Sequence, residues 1–461
     1  MKTNWRITSR ITFTTVLFLS ITAMLLISSS LPAKADVGQT AVVVSAAGDY
    51  SSGAHSVVSV EPVGGPRTIT QDLVPSGSDM TVTAYGEYFY RMERSGANNI
   101  TKFHIDQPDT PIWQYSTEGD ETGSNPHDLV FVNESKAYLL RYGSSILWIV
   151  NPGATSEADF KIGEIDLGAY ADEDGNPEMH SGTIVGGFLY VTLQRIDFSG
   201  GWGNYVYNTP WIAVFKTTDD TEVDTGKGDG TRKGIPLPME NPGAIQYLSS
   251  NNTVYVQGIG QYTNQYTGGI ATINISSYET TLILDDGDAT DHPYGAISGM
   301  AIVSPTKGYF IGYAAWGDNT LYTFNPSDPN PTGTAVSGLE NLSIGGMETG
   351  VYTDQNNMLW ICASTYDTDT WSLTDPKIVI LNTSTDTVDE TIHTNLTPLR
   401  VVFAGETELT PAESGSGDDN DSTCFIQAAS KGKYSNSLLM ILFSLFAVFA
   451  FAGVLHPKNK K

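Results

Sequence analysis

The chain has 461 residues, with 51 Asp and Glu against 24 Lys and Arg. All the acids but only 15 of the basic residues lie in residues 36–430, so 15 positive charges face 51 negative ones there, a net charge of −36. Such a surface repels DNA, RNA and anionic lipid, and leaves open neutral ligands, cationic ligands and divalent metals.

The first element in chain order is a secretory signal over residues 1–35. Lys2, Arg6 and Arg10 give a positive start, an apolar run follows from Val16 to Ile27, and Ala33-Lys34-Ala35 supplies a small-x-small cleavage site. The mature chain is expected to begin at Asp36, and a signal of this kind implies export.

From about residue 40 to 405 there is no long helical period. Runs of four to eight residues rich in Val, Ile, Tyr, Thr and Phe are bounded by Gly, Asn, Asp and Pro, which means strands and turns. The runs repeat. Asn125-Pro-His-Asp-Leu-Val-Phe131, Asn241-Pro-Gly-Ala-Ile-Gln-Tyr247 and Thr397-Pro-Leu-Arg-Val-Val-Phe403 open alike, and similar first strands begin near Met80, Met179, Ser298 and Met347. Second strands follow at Tyr88–Tyr90, Ala137–Leu140, Leu189–Thr192, Val254–Val256, Tyr309–Ile311 and Leu359–Ile361. A third strand, as in Leu147-Trp-Ile-Val150 and Ile378-Val-Ile-Leu381, and then a fourth complete each unit.

Four strands every 47 to 64 residues or so define the blade of a β-propeller. Six blades are complete. The C-terminal end supplies one further first strand, Leu399 to Phe403, and the N-terminal end supplies three strands, Ala41–Ser45, Ser56–Val60 and Thr68–Leu73. Together they predict an all-β, seven-bladed β-propeller over residues 36–405 with a composite closing blade, which removes the free edges of an open sheet. Tyr190-Val191-Thr192 and its equivalents resemble the Tyr-Val-Thr-Asn (YVTN) repeat of bacterial and archaeal surface propellers, although Leu193 stands where that repeat has Asn. The resemblance extends to seven-bladed surface proteins that capture corrinoids. It implies a mostly non-enzymatic class with a minority of lyases and hydrolases, among which fold alone does not choose.

The propeller rule puts the fourth-to-first and second-to-third connections on one face. The second-to-third loops are long and aromatic, with Phe198, Trp202, Tyr205 and Tyr207 in blade 3, Tyr262 and Tyr266 in blade 4, Trp316 in blade 5, and Tyr366 and Trp371 in blade 6. With Arg400 these are the expected ligand-binding residues, suited to a small molecule, a glycan or a protein partner. His127, Glu178, His180, Asp128, Asp291 and His292 lie in the lead-in segments of the same face. His127, His180 and His292 could converge as metal ligands. Glu178 with His180 or His127 could act as an acid/base pair in a propeller enzyme. Asp172, Asp174 and Asn176 alternate oxygen ligands as calcium loops do, but Gly175 and Thr183 break the EF-hand pattern. No phosphate loop, dinucleotide fingerprint, His-Glu-x-x-His or Gly-x-Ser-x-Gly occurs.

Residues 406–436 read as an acidic Gly/Ser linker that contains Cys424. Residues 437–455 are 19 uncharged residues, long enough for a transmembrane helix, and Lys458, Lys460 and Lys461 give residues 456–461 the character of a cytoplasmic tail. Linker, lone Cys, apolar helix and basic end resemble the C-terminal sorting signals of some exported bacterial proteins. That resemblance implies processing or lipidation at Cys424; a permanent helix with an incidental Cys is the alternative. Cys362, the second cysteine, sits in an apolar strand, so a disulfide with Cys424 is not expected. The leading expectation is therefore an exported binding propeller held in the cell envelope.

Overall fold

A computed structural model describes residues 38–405 apart from 121, 202, 263–265, 316 and 345–350. The signal, the linker with Cys424 and the apolar segment 437–455 lie outside the described residues. Among those described, no helix is long and apolar enough to cross a membrane.

Seven antiparallel sheets form the propeller. Blade 1 runs through Met80–Tyr85, Tyr88–Glu93, Asn99–His104 and Trp113–Ser116, and blade 2 through Pro126–Asn133, Lys136–Arg141, Ile146–Val150 and Lys161–Asp166. Blade 3 has Met179–Val185, Phe188–Leu193, Trp211–Lys216 and a two-residue fourth strand, Ile235–Pro236. Blade 4 spans Pro242–Leu248 to Thr280–Asp285, and blade 5 spans Ala296–Ser304 to Thr334–Ala335. In blade 6, Ser343–Ile344 and Val351–Thr353 both pair with the long second strand Met358–Asp367, followed by Ser372–Asn382 and Thr387–His393. The first strands of blades 1 to 6 contact one another in sequence around the ring, and Thr397–Ala404 of blade 7 contacts the first strand of blade 1 and the second strand of blade 6.

Closure follows the composite plan. Thr40–Ala46 pairs antiparallel with Gly53–Ser59 on one side and with Thr397–Ala404 on the other, and Ile69–Ser76 completes blade 7. Both chain ends of the ring thus hydrogen-bond each other, and Thr40–Ala46 is not left as an edge.

Second and third strands are sandwiched between neighbouring blades, which is why Phe188–Leu193 and Trp211–Lys216 read as near-continuous apolar runs. Fourth strands face water on one side and alternate instead, as in Ile69–Ser76. Packed clusters between blades include Val185, Tyr190, Val214, Ile245 and Val256 between blades 3 and 4.

A recurring polar staple joins blades on the face opposite the long loops. Lys136 and Tyr138, at the start of the second strand of blade 2, both reach Asp220 in the third-to-fourth turn of blade 3, at 2.7 and 2.5 Å. Lys307 and Tyr309 of blade 5 reach Asp386 of blade 6 in the same way, each at 2.5 Å. Asp220 and Asp386 both adopt positive φ (60° and 55°) and close their turns onto the carbonyls of Lys216 and Asn382. Asp tolerates this left-handed conformation better than most residues.

Candidate functional site

The first strands are entered through a repeated corner. Asn125, Glu178 and Asn241, one residue before the first strands of blades 2, 3 and 4, all have positive φ (47°, 49° and 54°). Their carbonyls accept hydrogen bonds from the backbone N–H one residue past each second strand, namely those of Tyr142, Gln194 and Ile259. In blade 1 the carbonyl of Asp79 accepts from Arg94. These bonds fix which residues are equivalent.

Two residues after the corner stand His127 in blade 2 and His180 in blade 3, both about 1 % exposed. Their rings lie 5.4 Å apart, edge to face. Tyr142 stacks on His127 at 4.2 Å, and its hydroxyl donates to Gln194 Oε1 at 2.9 Å. Burial first, and then the charge of Arg94, hold both imidazoles well below the usual histidine range; Arg400 adds to this at His180. Each ring is therefore neutral, and Nδ1 of His180 lies 3.0 Å from Ser181 Oγ. In blades 4 and 5 the matching positions are Gly243 and Ile259, Ile297 and Ala314. The polar group thus lies in blades 1 to 3 and is not repeated in blades 4 and 5.

Several expected roles are corrected. Arg400 does not belong to the loop face: it is buried in the first strand of blade 7, paired across from Val44, and its Nη1 donates to Thr81 Oγ1 of blade 1 at 3.0 Å. The lead-in Thr397-Pro398 is already part of the strand, which carries Arg400 inward. Glu178 is not set up as a partner of His180, because the positive φ of Glu178 (49°) breaks the extended run in which residues two apart share a face. Its carboxylate accepts from the Ile196 N–H at 3.0 Å, and burial followed by the charges of Asp174 and Asp172 pushes its pKa well up. His292 does not join the other two histidines; it stacks on Tyr266 at 4.0 Å, and its Nδ1 lies 2.8 Å from the carbonyl of Asp288.

The acidic loop also gathers differently from the expected alternation. Asp172 and Asp174 are joined by Asp197, with ligand oxygens within 4.8 Å of one another. Asn176 is not in this group; its backbone N–H donates to Asp174 Oδ1 at 3.0 Å and closes the turn. Asp197 comes from the small hairpin Ile196–Asp197/Val206–Tyr207, which rises from the second-to-third loop of blade 3. Three carboxylates so placed could hold a hard cation. Burial, then Asp174, raises the pKa of Asp172 to about 6.

Of the loop aromatics, Phe198, Tyr205, Tyr207 and Tyr262 form one patch across blades 3 and 4. Ring separations are 5.0 Å for Phe198–Tyr205, 6.2 Å for Tyr205–Tyr262 and 6.1 Å for Tyr207–Tyr262. The Tyr207 hydroxyl accepts from the Tyr262 backbone N–H at 2.8 Å. These rings pack the two loops together yet stay partly exposed. Tyr366 covers Gly317 of blade 5, so close that a Cβ there would fall 2.2 Å from Tyr366 Cβ. Trp371 sits at the tip of the blade 6 hairpin, 68 % exposed, at φ 57°. Trp202 and Trp316 lie outside the described residues.

No known protein family and no curated protein matches the chain. Solved propellers do. The periplasmic gluconolactonase PpgL of Pseudomonas aeruginosa is 11 % identical with a TM-score of 0.51, and a Bacteroides uniformis protein assigned as a 6-phosphogluconolactonase is 12 % identical with a TM-score of 0.53. Each likeness covers 79 % of this chain and 99 % of the other. At such identity the likeness establishes the propeller architecture.

Proposed function

We propose that this chain is an exported propeller of the cell envelope that binds a ligand on the face carrying the long loops, at the channel mouth over blades 1 to 4. The observation that carries this reading is the asymmetry within the ring. His127, His180, Tyr142, Gln194 and Arg94 occupy equivalent positions of blades 1 to 3, and the aromatic patch of Phe198, Tyr205, Tyr207 and Tyr262 joins the loops of blades 3 and 4. A structural ring has no need to concentrate such groups on one arc, and a concave site lined by aromatics with a few polar groups is what ligand recognition uses. The signal at residues 1–35 and the apolar segment 437–455 support export and anchoring. The ligand is a small molecule, a glycan or a protein segment rather than nucleic acid, given the net charge of −36 over residues 36–430.

A second reading makes the same mouth an active site of a lyase or hydrolase. It draws on two neutral imidazoles beside an arginine, and on the lactonases whose fold the chain shares. Glu178 takes no part in it. The test is a soluble version covering residues 36–410, mixed with extracts of small metabolites and glycans and analysed for retained and for transformed compounds. Retention without turnover supports binding, turnover lost in His127→Asn and His180→Asn supports the enzyme, and neither outcome in any extract refutes both.

A further inference from the structure

The longest hairpin of the ring joins Met358–Asp367 to Ser372–Asn382 in blade 6. Its strands stay paired as far as Asp367 and Ser372, whereas the first strand of the blade reaches only Ser364 and the fourth only Lys377. The tip is therefore a two-stranded ribbon that outruns the rest of its sheet. Trp371 closes the turn at its end. It is 68 % exposed, the most exposed large hydrophobic residue among those described. Its indole neither stacks on another ring nor donates a hydrogen bond among the described residues. Its φ of 57° is a left-handed conformation that Gly or Asn fills readily and a bulky side chain does not. Folding thus gains nothing from burying this ring, and the backbone disfavours it. Strain that no internal contact offsets points to a role outside the molecule. The turn is also well held. Asp367 Oδ1 accepts from the N–H groups of Asp369 at 2.8 Å and Thr370 at 3.2 Å, and Thr370 Oγ1 lies 2.8 Å from Ser372 Oγ. The ring is presented on a fixed support.

We propose that Trp371 is the platform of a second binding site, separate from the channel mouth, for a neutral saccharide. An indole offers a flat apolar face whose quadrupole is negative, and it buries about 150–250 Å² when fully covered. The C–H face of a pyranose, weakly positive and apolar, matches it. The neighbours in the turn are Asp367, Thr368, Asp369, Thr370 and Ser372, all carboxylates and hydroxyls. They suit the rim of a sugar, whose hydroxyls donate to the carboxylates and accept from Thr or Ser. Other partners fit less well. Polyanions are repelled by the net charge of −36 over residues 36–430 and by the two carboxylates of the turn. A protein partner needs about 800 Å² on each side with an apolar centre, and this turn supplies one ring. An organic cation is held strongly only where the ring is desolvated, and Trp371 stands in water. The site lies on blade 6 and does not depend on the reading of the mouth over blades 1 to 4.

The test uses the full-length protein in a sugar-free nonionic detergent, run in native gels that contain dextran, soluble starch, hydroxyethyl cellulose or galactomannan, with heparin as the polyanion control. At least one of the neutral polysaccharides should retard the protein, and Trp371→Ala should weaken that binding tenfold or more. Trp371→Tyr, which keeps a flat ring, should retain most of it. Trp371→Gly should lose binding as alanine does, yet melt at or above the wild-type temperature, because glycine suits the turn. No retardation by any neutral polysaccharide, stronger retardation by heparin, or displacement by tetramethylammonium would overturn the inference. A lower melting temperature in Trp371→Gly would give the ring a packing role and overturn it too. Retardation that survives Trp371→Ala but is lost in Tyr205→Ala would remove this site while leaving the broader binding reading of the mouth standing.

Discussion

Replacing Arg67 with alanine should loosen the ring between blades 6 and 7. Arg67 lies in the loop before the last strand of blade 7, and its side chain is fully buried. Nε donates to the carbonyl of Val60 at 2.9 Å, and Nη1 reaches Asp389 at 3.1 Å and Glu390 at 2.7 Å, more than 320 residues away in the chain. The Arg67 backbone N–H also donates to Glu390 Oε1 at 3.1 Å, and the guanidinium lies 5.6 Å from the centre of the Trp360 ring. Removing one partner of a buried ion pair costs about 3–5 kcal/mol. Here the side chains of Asp389 and Glu390 retain 14 % and 17 % exposure and can rehydrate, so Arg67→Ala should cost about 3 kcal/mol, including loss of the cation–π contact. Glu390→Gln, which leaves Arg67 its bond to Asp389, should cost about 1 kcal/mol. Urea unfolding followed by tryptophan fluorescence, on both single variants and the double variant, gives the coupling, expected at about 1 kcal/mol or more. A loss below about 1 kcal/mol in Arg67→Ala, or strict additivity in the cycle, would refute the view that this cross-blade latch holds the closing blade.

Asp286 is enclosed, and burial raises its pKa to about 7 against bonds from the Gly268 N–H. An acid with a raised folded pKa contributes stability below about pH 4 that is lost as pH rises through about 7, so Asp286→Asn should match wild type at pH 4 and exceed it by about 1–2 kcal/mol at pH 8, after allowance for solvent, in paired melts. Tyr309→Phe removes one arm of the blade 5 to 6 staple and should cost about 1–2 kcal/mol in urea titrations; an unchanged midpoint would show that Lys307 suffices. Trp371→Ala should stay within about 0.5 kcal/mol of wild type in thermal melts, since that side chain is 68 % exposed, while weakening any ligand that seats on blade 6 by about 1–3 kcal/mol. Deleting residues 36–75 should strip three strands from blade 7 and give aggregates in size-exclusion chromatography.

The ring and its closure were legible in the sequence because each blade repeats its strand chemistry, and because Asn125-Pro126 and Asn241-Pro242 mark the same corner twice. Where the repeat fades the reading fades with it. Blade 3 spends its long second-to-third connection on the hairpin that delivers Asp197, and nothing in the spacing of Asp172, Asp174 and Asn176 announces a ligand from a separate loop. Arg94 was missed although a signal existed: with the blades aligned, it falls in the column of Tyr142 and Gln194. Arg400 looked like a loop residue because a Pro precedes it by two positions, yet Pro398 is accommodated inside the strand where the register shifts between Val44 and Ser45. The pairing of Glu178 with His180 failed on geometry, since a spacing of two in an extended chain says nothing about a kink at positive φ. The Arg67 latch joins distant segments through side chains alone, and no local pattern encodes it.

The Lys-Tyr-Asp staples hold neighbouring blades from the side away from the long loops, with Asp220 and Asp386 as the receiving ends. Cohesion between blades is therefore partly discharged where no ligand is expected, and the loops above are released from that duty. Blade 3 already exploits the freedom, carrying a 17-residue excursion between Leu193 and Trp211 without disturbing the pairing of the strands that flank it. A lineage could lengthen, trim or rewrite such loops and keep the wheel intact, and a protein engineer could graft foreign binding segments there on the same terms.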